Sequence, residues 1–253
     1  MFDPLALTNE IRKQVTRSKD SGEERVYFRF RGGRWYGGIA TADCIGCNLR
    51  CVFCWSWYFR DNAIIGRFYT PHEVYERLMN ILRRRGYKQV RISGGEPTLS
   101  KNHLLKVIEL FDSEGVLFIL ETNGILLGQD RTYARELSKF DNLHVRVSIK
   151  GTTPREFSRL TGAIPSAFFL QLKALKNLLD EGVSVHPAVM LSFSRKEDIR
   201  EFIKTLKQID EILIEELEEE YVFLYPHVVK RLRNAGVWPK RAFYPSNIPK
   251  ELI

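Results

Sequence analysis

The four cysteines of the chain, Cys44, Cys47, Cys51 and Cys54, all lie between residues 44 and 54. Thiols this close together point to a metal or redox centre. A tetrahedral zinc site usually draws its ligands from two pairs that close a longer loop, whereas only three residues separate the pairs here. A structural disulfide framework would instead link distant parts of the chain. Buried structural cysteines are a third possibility, and an iron–sulfur cluster, whose thiolate ligands sit on tight loops, fits the spacing best.

Cys47, Cys51 and Cys54 form a C-x3-C-x2-C triplet with Phe53 just before the last cysteine. This triplet resembles the signature of the radical S-adenosylmethionine (SAM) superfamily. The resemblance implies that the three thiolates hold a [4Fe-4S] cluster whose fourth iron binds SAM. The reduced cluster would then cleave SAM to a 5′-deoxyadenosyl radical that abstracts hydrogen. Cys44 takes no ligand role in this scheme; it is either an ordinary loop cysteine or a redox-active or substrate-facing thiol.

Three further motifs extend the resemblance: "SGGEPTLS", "LETNG" and "VSIKGTT". In the family pattern, Glu96 accepts a hydrogen bond from the SAM ammonium group and Lys150 meets the SAM carboxylate. Ser148 stands where activating enzymes carry an aspartate, and His186 is placed near the SAM ribose. The resemblance therefore implies that the SAM-binding residues are Phe53, Gly94, Gly95, Glu96, Pro97, Glu121, Thr122, Asn123, Ser148, Lys150 and His186.

Strand-like and helix-like segments alternate along the chain, which predicts parallel βαβ units. Segments 24–30 and 34–41 predict a hairpin with a turn at 31–33, and the cysteines follow it. Thr70, Pro71 and Glu73 predict the start of a helix that ends at Gly86. The motifs fall at the carboxyl ends of strands, where α/β barrels build their sites. We expect an α/β fold, a partial (β/α)6 radical SAM barrel.

The predicted domain organisation is a single domain over residues 1–253. Residues 1–22 form a polar amino-terminal extension, about 23–210 the barrel core, and about 211–253 a mixed carboxy-terminal extension that either completes the barrel or covers its mouth.

The net charge of +8 comes from 39 basic and 31 acidic residues, with one acidic run at 215–220. A solvated surface explains these charges better than an anionic partner, although nucleic acid stays open. No membrane-spanning run or signal peptide is evident, which predicts a cytoplasmic protein. Without further cysteines, these residues hold no auxiliary iron–sulfur cluster.

Two enzyme functions and one binding function follow. The pattern is closest to compact glycyl-radical-enzyme activating proteins of the pyruvate formate-lyase activating type, which act on a partner protein. The alternative is a radical SAM enzyme for a small molecule or tRNA-pathway intermediate, similar to 7-carboxy-7-deazaguanine synthase. An iron–sulfur or zinc binding module is the non-enzymatic reading. The expected partners are an electron donor such as ferredoxin or flavodoxin and, for the activating function, a protein substrate, with no membrane.

Overall fold

A computed structural model of the protein describes residues 1–20 and 22–249. Its α-helices are α1 Pro4–Val15, α2 Trp57–Arg60, α3 Pro71–Arg85, α4 Lys101–Asp112, α5 Ile125–Gln129, α6 Arg131–Leu137, α7 Pro154–Thr161, α8 Phe168–Asp180, α9 Lys196–Ile209, α10 Ile212–Glu215 and α11 Pro226–Asn234. Its strands are β1 Thr16–Lys19, β2 Gly22–Gly33, β3 Ile39–Cys44, β4 Arg67–Tyr69, β5 Gln89–Ser93, β6 Leu117–Thr122, β7 Leu143–Ile149, β8 Val185–Met190, β9 Glu218–Glu220, β10 Val222–Phe223 and β11 Ala242–Phe243.

The main sheet has the order β1-β2-β3-β5-β6-β7-β8-β9, with β4 paired to β2. From β3 to β9 the neighbours are parallel, while β1, β2 and β4 form an antiparallel extension. The sheet does not close on itself, since the path ends at β9. Six parallel strands in this part of the chain confirm the predicted partial (β/α)6 barrel.

Period-two alternation divides each parallel strand between two environments. In β7, Val145, Val147 and Ile149 join the main apolar core that packs against the helices. Arg146 and Ser148 alternate with them and project to the other face of the sheet, which is the inside of the barrel. The concave face is therefore polar and charged.

Helix α3 begins as its sequence predicts. The Thr70 hydroxyl accepts from the Glu73 amide at 3.2 Å, and the Glu73 carboxylate accepts from the Thr70 amide at 2.7 Å, which completes a capping box. Gly86 ends the helix in the left-handed conformation. The helix buries Val74 and Leu78.

Two predictions for local structure are wrong. The hairpin turn lies not at 31–33 but beyond Gly33, because β2 continues extended through that residue. The turn centres on Tyr36, which has a φ of +53°, and on Gly37 and Gly38. The first twenty residues, to which we assigned no element, form α1 and β1. Helix α1 buries Ile11 and Val15 in a small apolar cluster.

The acidic run at 215–220 is divided: Glu215, Glu216 and Glu219 are exposed, as on a solvated surface, whereas Glu218 and Glu220 are half-buried. Glu218–Glu220 forms β9, the last parallel strand of the barrel. No helix in the described residues is long and apolar enough to cross a membrane.

Candidate active site

The three thiols of the triplet lie on the loop between β3 and α2, at the carboxyl end of β3. The Cys47 sulfur accepts from the Leu49 amide at 3.4 Å, and Asn123 Nδ2 lies 3.8 Å from the same sulfur. The Cys54 amide donates to the Cys51 carbonyl at 3.2 Å, which curls the loop around its last two cysteines. All four cysteines are free thiols.

Several elements hold this cysteine loop in place. The amides of Arg50 and Val52 donate to the carbonyls of Thr161 and Leu160 at 3.0 and 2.9 Å. From the carboxy-terminal tail, Arg231 Nη2 donates to the Cys51 carbonyl at 3.1 Å. A loop tied through its backbone leaves its thiol side chains free to serve as ligands.

Burial is the main influence on the protonation of the three thiols when no cluster is bound. It raises the pKa of Cys51 to about 11 and also raises the pKa values of Cys47 and Cys54. Neutral thiols are therefore favoured until a metal binds, and iron would offset the burial cost by taking the thiolates as ligands.

Unpaired buried groups beside the loop fit a bound iron–sulfur cluster. Within the described residues, three buried side-chain polar atoms have no hydrogen-bond partner: Arg25 Nε, Ser56 Oγ and Arg60 Nη1. Two of the three lie shortly after Cys54: Ser56 precedes α2, and Arg60 is the last residue of α2. Buried donors of this kind normally find an acceptor, and the sulfur atoms of a cluster accept N–H and O–H bonds.

The thiols suit a cluster better than a single ion. Across residues 1–20 and 22–249, no three His, Cys, Asp or Glu side chains are grouped closely enough to hold one metal ion. In a cubane each thiolate binds a different iron, so its ligands stand further apart than those of one zinc ion.

The GGEP segment packs directly on the start of the cysteine loop. The Glu96 amide donates to the Gly46 carbonyl at 2.7 Å. A Cβ at Gly95 would lie 2.3 Å from that carbonyl oxygen, and Gly94 has a φ of +88°. Both positions therefore require glycine, and Pro97 begins the short 3-10 turn that follows.

The carboxylate of Glu96 joins this segment to the end of β6. Oε1 accepts from the hydroxyls of Thr122 and Thr98 at 2.6 and 2.7 Å, and Oε2 accepts from the Asn123 amide at 2.8 Å. Asn123 in turn donates to Asn48 Oδ1 at 2.7 Å in the cysteine loop. These bonds bring together three motifs that lie far apart in the sequence. A bond from Glu96 to the SAM ammonium stays a prediction.

Ser148 and Lys150 reach the inner wall beside the loop. Ser148 Oγ donates to Glu220 Oε2 at 2.8 Å, and Lys150 Nζ lies 3.4 Å from the same oxygen and also contacts Ser148. The Lys150 ammonium stands 6.0 Å from the Phe53 ring centroid. Its charge also acts to lower the pKa of Cys51 against the larger effect of burial. Lys150 and Phe53 therefore lie next to the cysteines.

Glu121 lies deeper, on the barrel wall. It accepts from Arg91 Nη1 at 2.6 Å and from the Tyr36 hydroxyl at 3.0 Å. Burial acts to raise the pKa of Glu121, but Arg91 and Arg146 outweigh it and keep the carboxyl ionised. Tyr36 comes from the turn before β3, so this side chain reaches into the barrel from its amino-terminal end.

His186 is near the beginning of β8, whereas the cysteines follow the end of β3. Its Nδ1 lies 2.6 Å from His144 Nε2, and its Nε2 lies 3.1 Å from Glu218 Oε2. Both ring nitrogens thus have protein partners. The contact of His186 with SAM stays a prediction.

Cys44 is fully buried in the main apolar core. Burial raises the pKa of its thiol, which opposes thiolate chemistry. This environment favours an ordinary structural cysteine over a reactive thiol, although Cys44 is the last residue of β3 and does not lie on a loop.

Several residues of the site were not predicted from the sequence. Glu218 and Glu220 form a carboxylate pair around Arg146, whose Nη2 donates to them at 2.6 and 3.0 Å. An E-x-E pattern is a signal for two side chains on one face of a strand. Arg60 and Arg231 gave no such signal, because tertiary packing alone brings them to the loop.

The fold and site define a class of protein: a partial α/β barrel with three closely spaced thiols at the carboxyl end of its first parallel strand. The profile of the Radical SAM superfamily matches residues 44–209. The chain belongs to this superfamily, and its cofactors are a [4Fe-4S] cluster and SAM.

Two curated relatives with similar sequences are GTP 3′,8-cyclases. The chain is 32% identical over 139 residues to a probable GTP 3′,8-cyclase of Pyrobaculum aerophilum. The aligned region covers 55% of this chain and 43% of that protein. It is 25% identical over 183 residues to the GTP 3′,8-cyclase of Haemophilus influenzae strain PittEE, covering 71% and 52%. The chain spans about half the length of these relatives.

Solved structures share the fold at low sequence identity. Spore photoproduct lyase complexed with a dinucleoside spore photoproduct aligns with a TM-score of 0.59 at 14% identity, covering 82% of this chain and 63% of that chain. The protein anSMEcpe with bound AdoMet and the Cp18Cys peptide gives 0.53 at 20% identity, covering 72% and 51%.

Proposed function

We propose that this protein is a radical SAM enzyme that acts on a small polar molecule inside the barrel. The observation that carries the proposal is the charged inner wall. Arg91, Glu121, Arg146, Glu218 and Glu220 project from neighbouring strands and hold one another in ion pairs. Such fixed charges bind and orient a polar molecule without rearranging.

The wall retains accessible polar atoms. The Glu218 side chain is 39% exposed and that of Glu220 is 19% exposed, although both carboxylates pair with Arg146. The Arg146 side chain is almost buried, with only 9% of it exposed. A substrate would therefore meet carboxylate oxygens whose positions Arg146 fixes from behind.

The names of the relatives favour the small-molecule function over activation of a glycyl-radical partner. A guanine nucleotide is the first candidate substrate, because the curated relatives that match are GTP 3′,8-cyclases. Activation of a partner protein, the first expectation from the motifs, becomes the competing outcome of the test. An electron donor such as ferredoxin or flavodoxin would supply the reductant.

When bound, the reduced cluster and SAM supply a 5′-deoxyadenosyl radical for hydrogen abstraction. Cys47, Cys51 and Cys54 would hold the cluster, while Lys150 offers its ammonium to an anionic group of SAM. The GGEP and ETNG segments would shape the cofactor pocket, since Glu96 locks them together. The aromatic ring of Phe53 would exclude water beside Lys150.

We also propose that residues 1–253 work as one domain. Asn48 in the cysteine loop donates to Thr8 of α1 at 3.1 Å, and Arg231 of α11 donates to the Cys51 carbonyl. Both terminal segments thus support the loop that carries the cluster ligands.

The test uses protein that has been reconstituted anaerobically with iron and sulfide, reduced with dithionite and supplied with SAM. We expect GTP to raise the rate of 5′-deoxyadenosine formation at least tenfold over the reaction without substrate. Deuterium placed on the GTP ribose should appear in the 5′-deoxyadenosine. ATP serves as the nucleotide control.

An inner-wall variant checks the location of the substrate. Arg146→Gln should reduce the stimulation by GTP at least tenfold, about 1.4 kcal/mol in transition-state binding. Arg135→Gln, which removes an arginine whose side chain is 65% exposed, should leave the stimulation unchanged. Stimulation by a protein partner but by no small molecule would contradict the proposal.

A further inference from the structure

Arg60 is a buried arginine beside the cysteine loop with one free edge. It ends α2, and its side chain is only 4% exposed. Nε donates to Asp61 Oδ1 at 2.7 Å, and Nη2 pairs with Asp61 Oδ2. Nη1 is buried without a partner in the protein. Two corners of the guanidinium are thus fixed by Asp61 while the third is not satisfied.

A buried guanidinium N–H without an acceptor is costly, because the group loses its bonds to water. The groups around Arg60 indicate the missing acceptor. Asp61, which holds Nε and Nη2, also lies 3.6 Å from Nε of Arg50, a residue of the cysteine loop between Cys47 and Cys51. The guanidinium of Arg60 therefore lies beside that loop.

Ser56 gives independent support. It lies between Cys54 and Arg60 on the same turn, and its carbonyl accepts from the Arg60 amide at 2.7 Å. Its buried hydroxyl has no partner. Two unsatisfied donors on one turn next to the ligand thiols point to one shared acceptor.

We propose that Arg60 sets the reduction potential of the [4Fe-4S] cluster, by placing a positive charge and a free N–H donor at the cluster's sulfur atoms. Reduction adds one electron to the cluster and moves no proton. A nearby cation stabilises the more negative, reduced form, and it does so more strongly where water is excluded. Arg60 therefore makes the cluster easier to reduce.

The other cations near the loop are already engaged. Arg50 donates to the carbonyls of Cys47 and Leu49 and lies 3.6 Å from Asp61. Lys150 pairs with Ser148 and Glu220. Arg231 donates to the carbonyls of Val52 and Cys51 and lies 4.9 Å from the Trp57 ring centroid. None of the three has an unsatisfied buried donor, so Arg60 is the residue on which the potential should depend most.

The experiment measures the cluster potential by redox titration monitored by electron paramagnetic resonance, on cluster-loaded protein without SAM. Arg60→Met should lower the equilibrium constant for reduction of the cluster at least tenfold. This corresponds to a fall of about 59 mV in the reduction potential for one electron. Arg60→Lys keeps the positive charge, so its reduction potential should fall less than that of Arg60→Met. Asp61→Asn removes a neighbouring negative charge, so its potential should rise.

Arg67→Gln is the matched control, because it removes the charge of an exposed arginine on β4. Its equilibrium constant should stay within twofold of the parent protein. Iron and sulfide content must first show equal loading in each variant.

An unchanged potential in fully loaded Arg60→Met would overturn the proposal. If that variant does not load the cluster, Arg60→Lys and Asp61→Asn decide, and the proposal fails unless they shift in opposite directions. The readout needs neither substrate nor SAM, so it is independent of the proposed reaction.

Discussion

Glu220 supplies a carboxylate beside Ser148, which itself offers only a hydroxyl group. Ser148 stands where activating enzymes carry an aspartate, yet its Oγ donates to Glu220 Oε2 at 2.8 Å. Lys150 reaches the same oxygen. The lysine–carboxylate pair is thus retained with its acid moved from β7 to β9. Burial acts to raise the pKa of Glu220, but Lys150 and Arg146 outweigh it and keep the group ionised.

The cysteines differ in what their loss should do. We expect Cys51→Ala to fail to assemble a complete cubane, since one iron would lose its thiolate. Formation of 5′-deoxyadenosine should then drop at least tenfold. Cys44→Ala should load the cluster fully and lose only about 1 kcal/mol of stability, because it shortens a buried side chain without removing a ligand.

Iron and sulfide analysis of the two variants after anaerobic reconstitution makes this comparison. A complete and active cluster in Cys51→Ala would remove that residue from the ligand set. Loss of the cluster in Cys44→Ala at normal stability would show that Cys44 does more than fill the core.

At the scale of elements, the close contact of GGEP with the cysteine loop makes a prediction. A methyl group at Gly95 would lie 2.3 Å from the Gly46 carbonyl oxygen, a backbone atom that precedes Cys47 by one residue. We expect Gly95→Ala to push the loop away, reduce cluster loading and lower the free energy of unfolding by about 1–3 kcal/mol.

Gly33→Ala is the control, because its nearest neighbours would be 3.5 Å or more from the new methyl group. Chemical denaturation and iron content of both variants measure the effect. Equal cluster loading in Gly95→Ala and Gly33→Ala would show that the two loops do not depend on each other.

Elements with strong local signals were predictable. Thr70, Pro71, Glu73 and Gly86 bound α3 through capping and helix-ending chemistry that depends on nearby residues alone. The motifs were also placed correctly at strand ends. The α/β alternation supplied the architecture, since βαβ units have few alternative arrangements.

The elements that the sequence did not reveal depend on distant partners. β9 is a run of three glutamates, a residue type that strands disfavour, and it forms because Arg146 pairs with two of them inside the barrel. The place of helix α1 depends on contacts with the cysteine loop such as Thr8 with Asn48. The unpaired Nη1 of Arg60 likewise results from tertiary packing and not from a local sequence pattern.

At the scale of the whole molecule, the turn before β3 reaches across the open side of the barrel. Trp35 stacks with Phe223 of β10, with ring centroids 5.9 Å apart, while Tyr36 bonds to Glu121 of β6. The left-handed φ of Tyr36 is a strained conformation that these contacts stabilise. The turn closes the barrel at its amino-terminal end, and the cysteine loop lies at the other end.

Strand β2 of the antiparallel extension contacts helix α4 of the barrel, and we call this contact the seam. It depends on a neutral histidine, His103 of α4. Its Nδ1 lies 2.9 Å from the Glu23 carbonyl, so Nδ1 carries the proton and donates; its Nε2 accepts from the Tyr27 hydroxyl at 2.9 Å. Burial lowers the pKa of His103 from 6.5 to about 4. Protonation would add a buried charge and remove the acceptor for Tyr27.

This seam predicts how stability changes with pH. Between the folded pKa of about 4 and the unfolded value of 6.5, the unfolded chain binds more protons. The contribution of His103 is therefore complete above pH 6.5 and is lost as the pH falls. About 2 kcal/mol should disappear between pH 7 and pH 5. His144, whose pKa burial also lowers to about 4, acts in the same direction.

Urea unfolding of the parent protein and of His103→Gln at pH 7, 6 and 5 isolates the His103 contribution from that of His144. The variant should be less stable at pH 7, because it replaces a fitted ring, but its stability should fall less steeply toward pH 5. Carboxylates do not mask the difference, since their unfolded pKa values near 4 place their effect at lower pH. Equal slopes in the two proteins would mean that His103 titrates alike in the folded and unfolded chain, and so that the seam tolerates its charge.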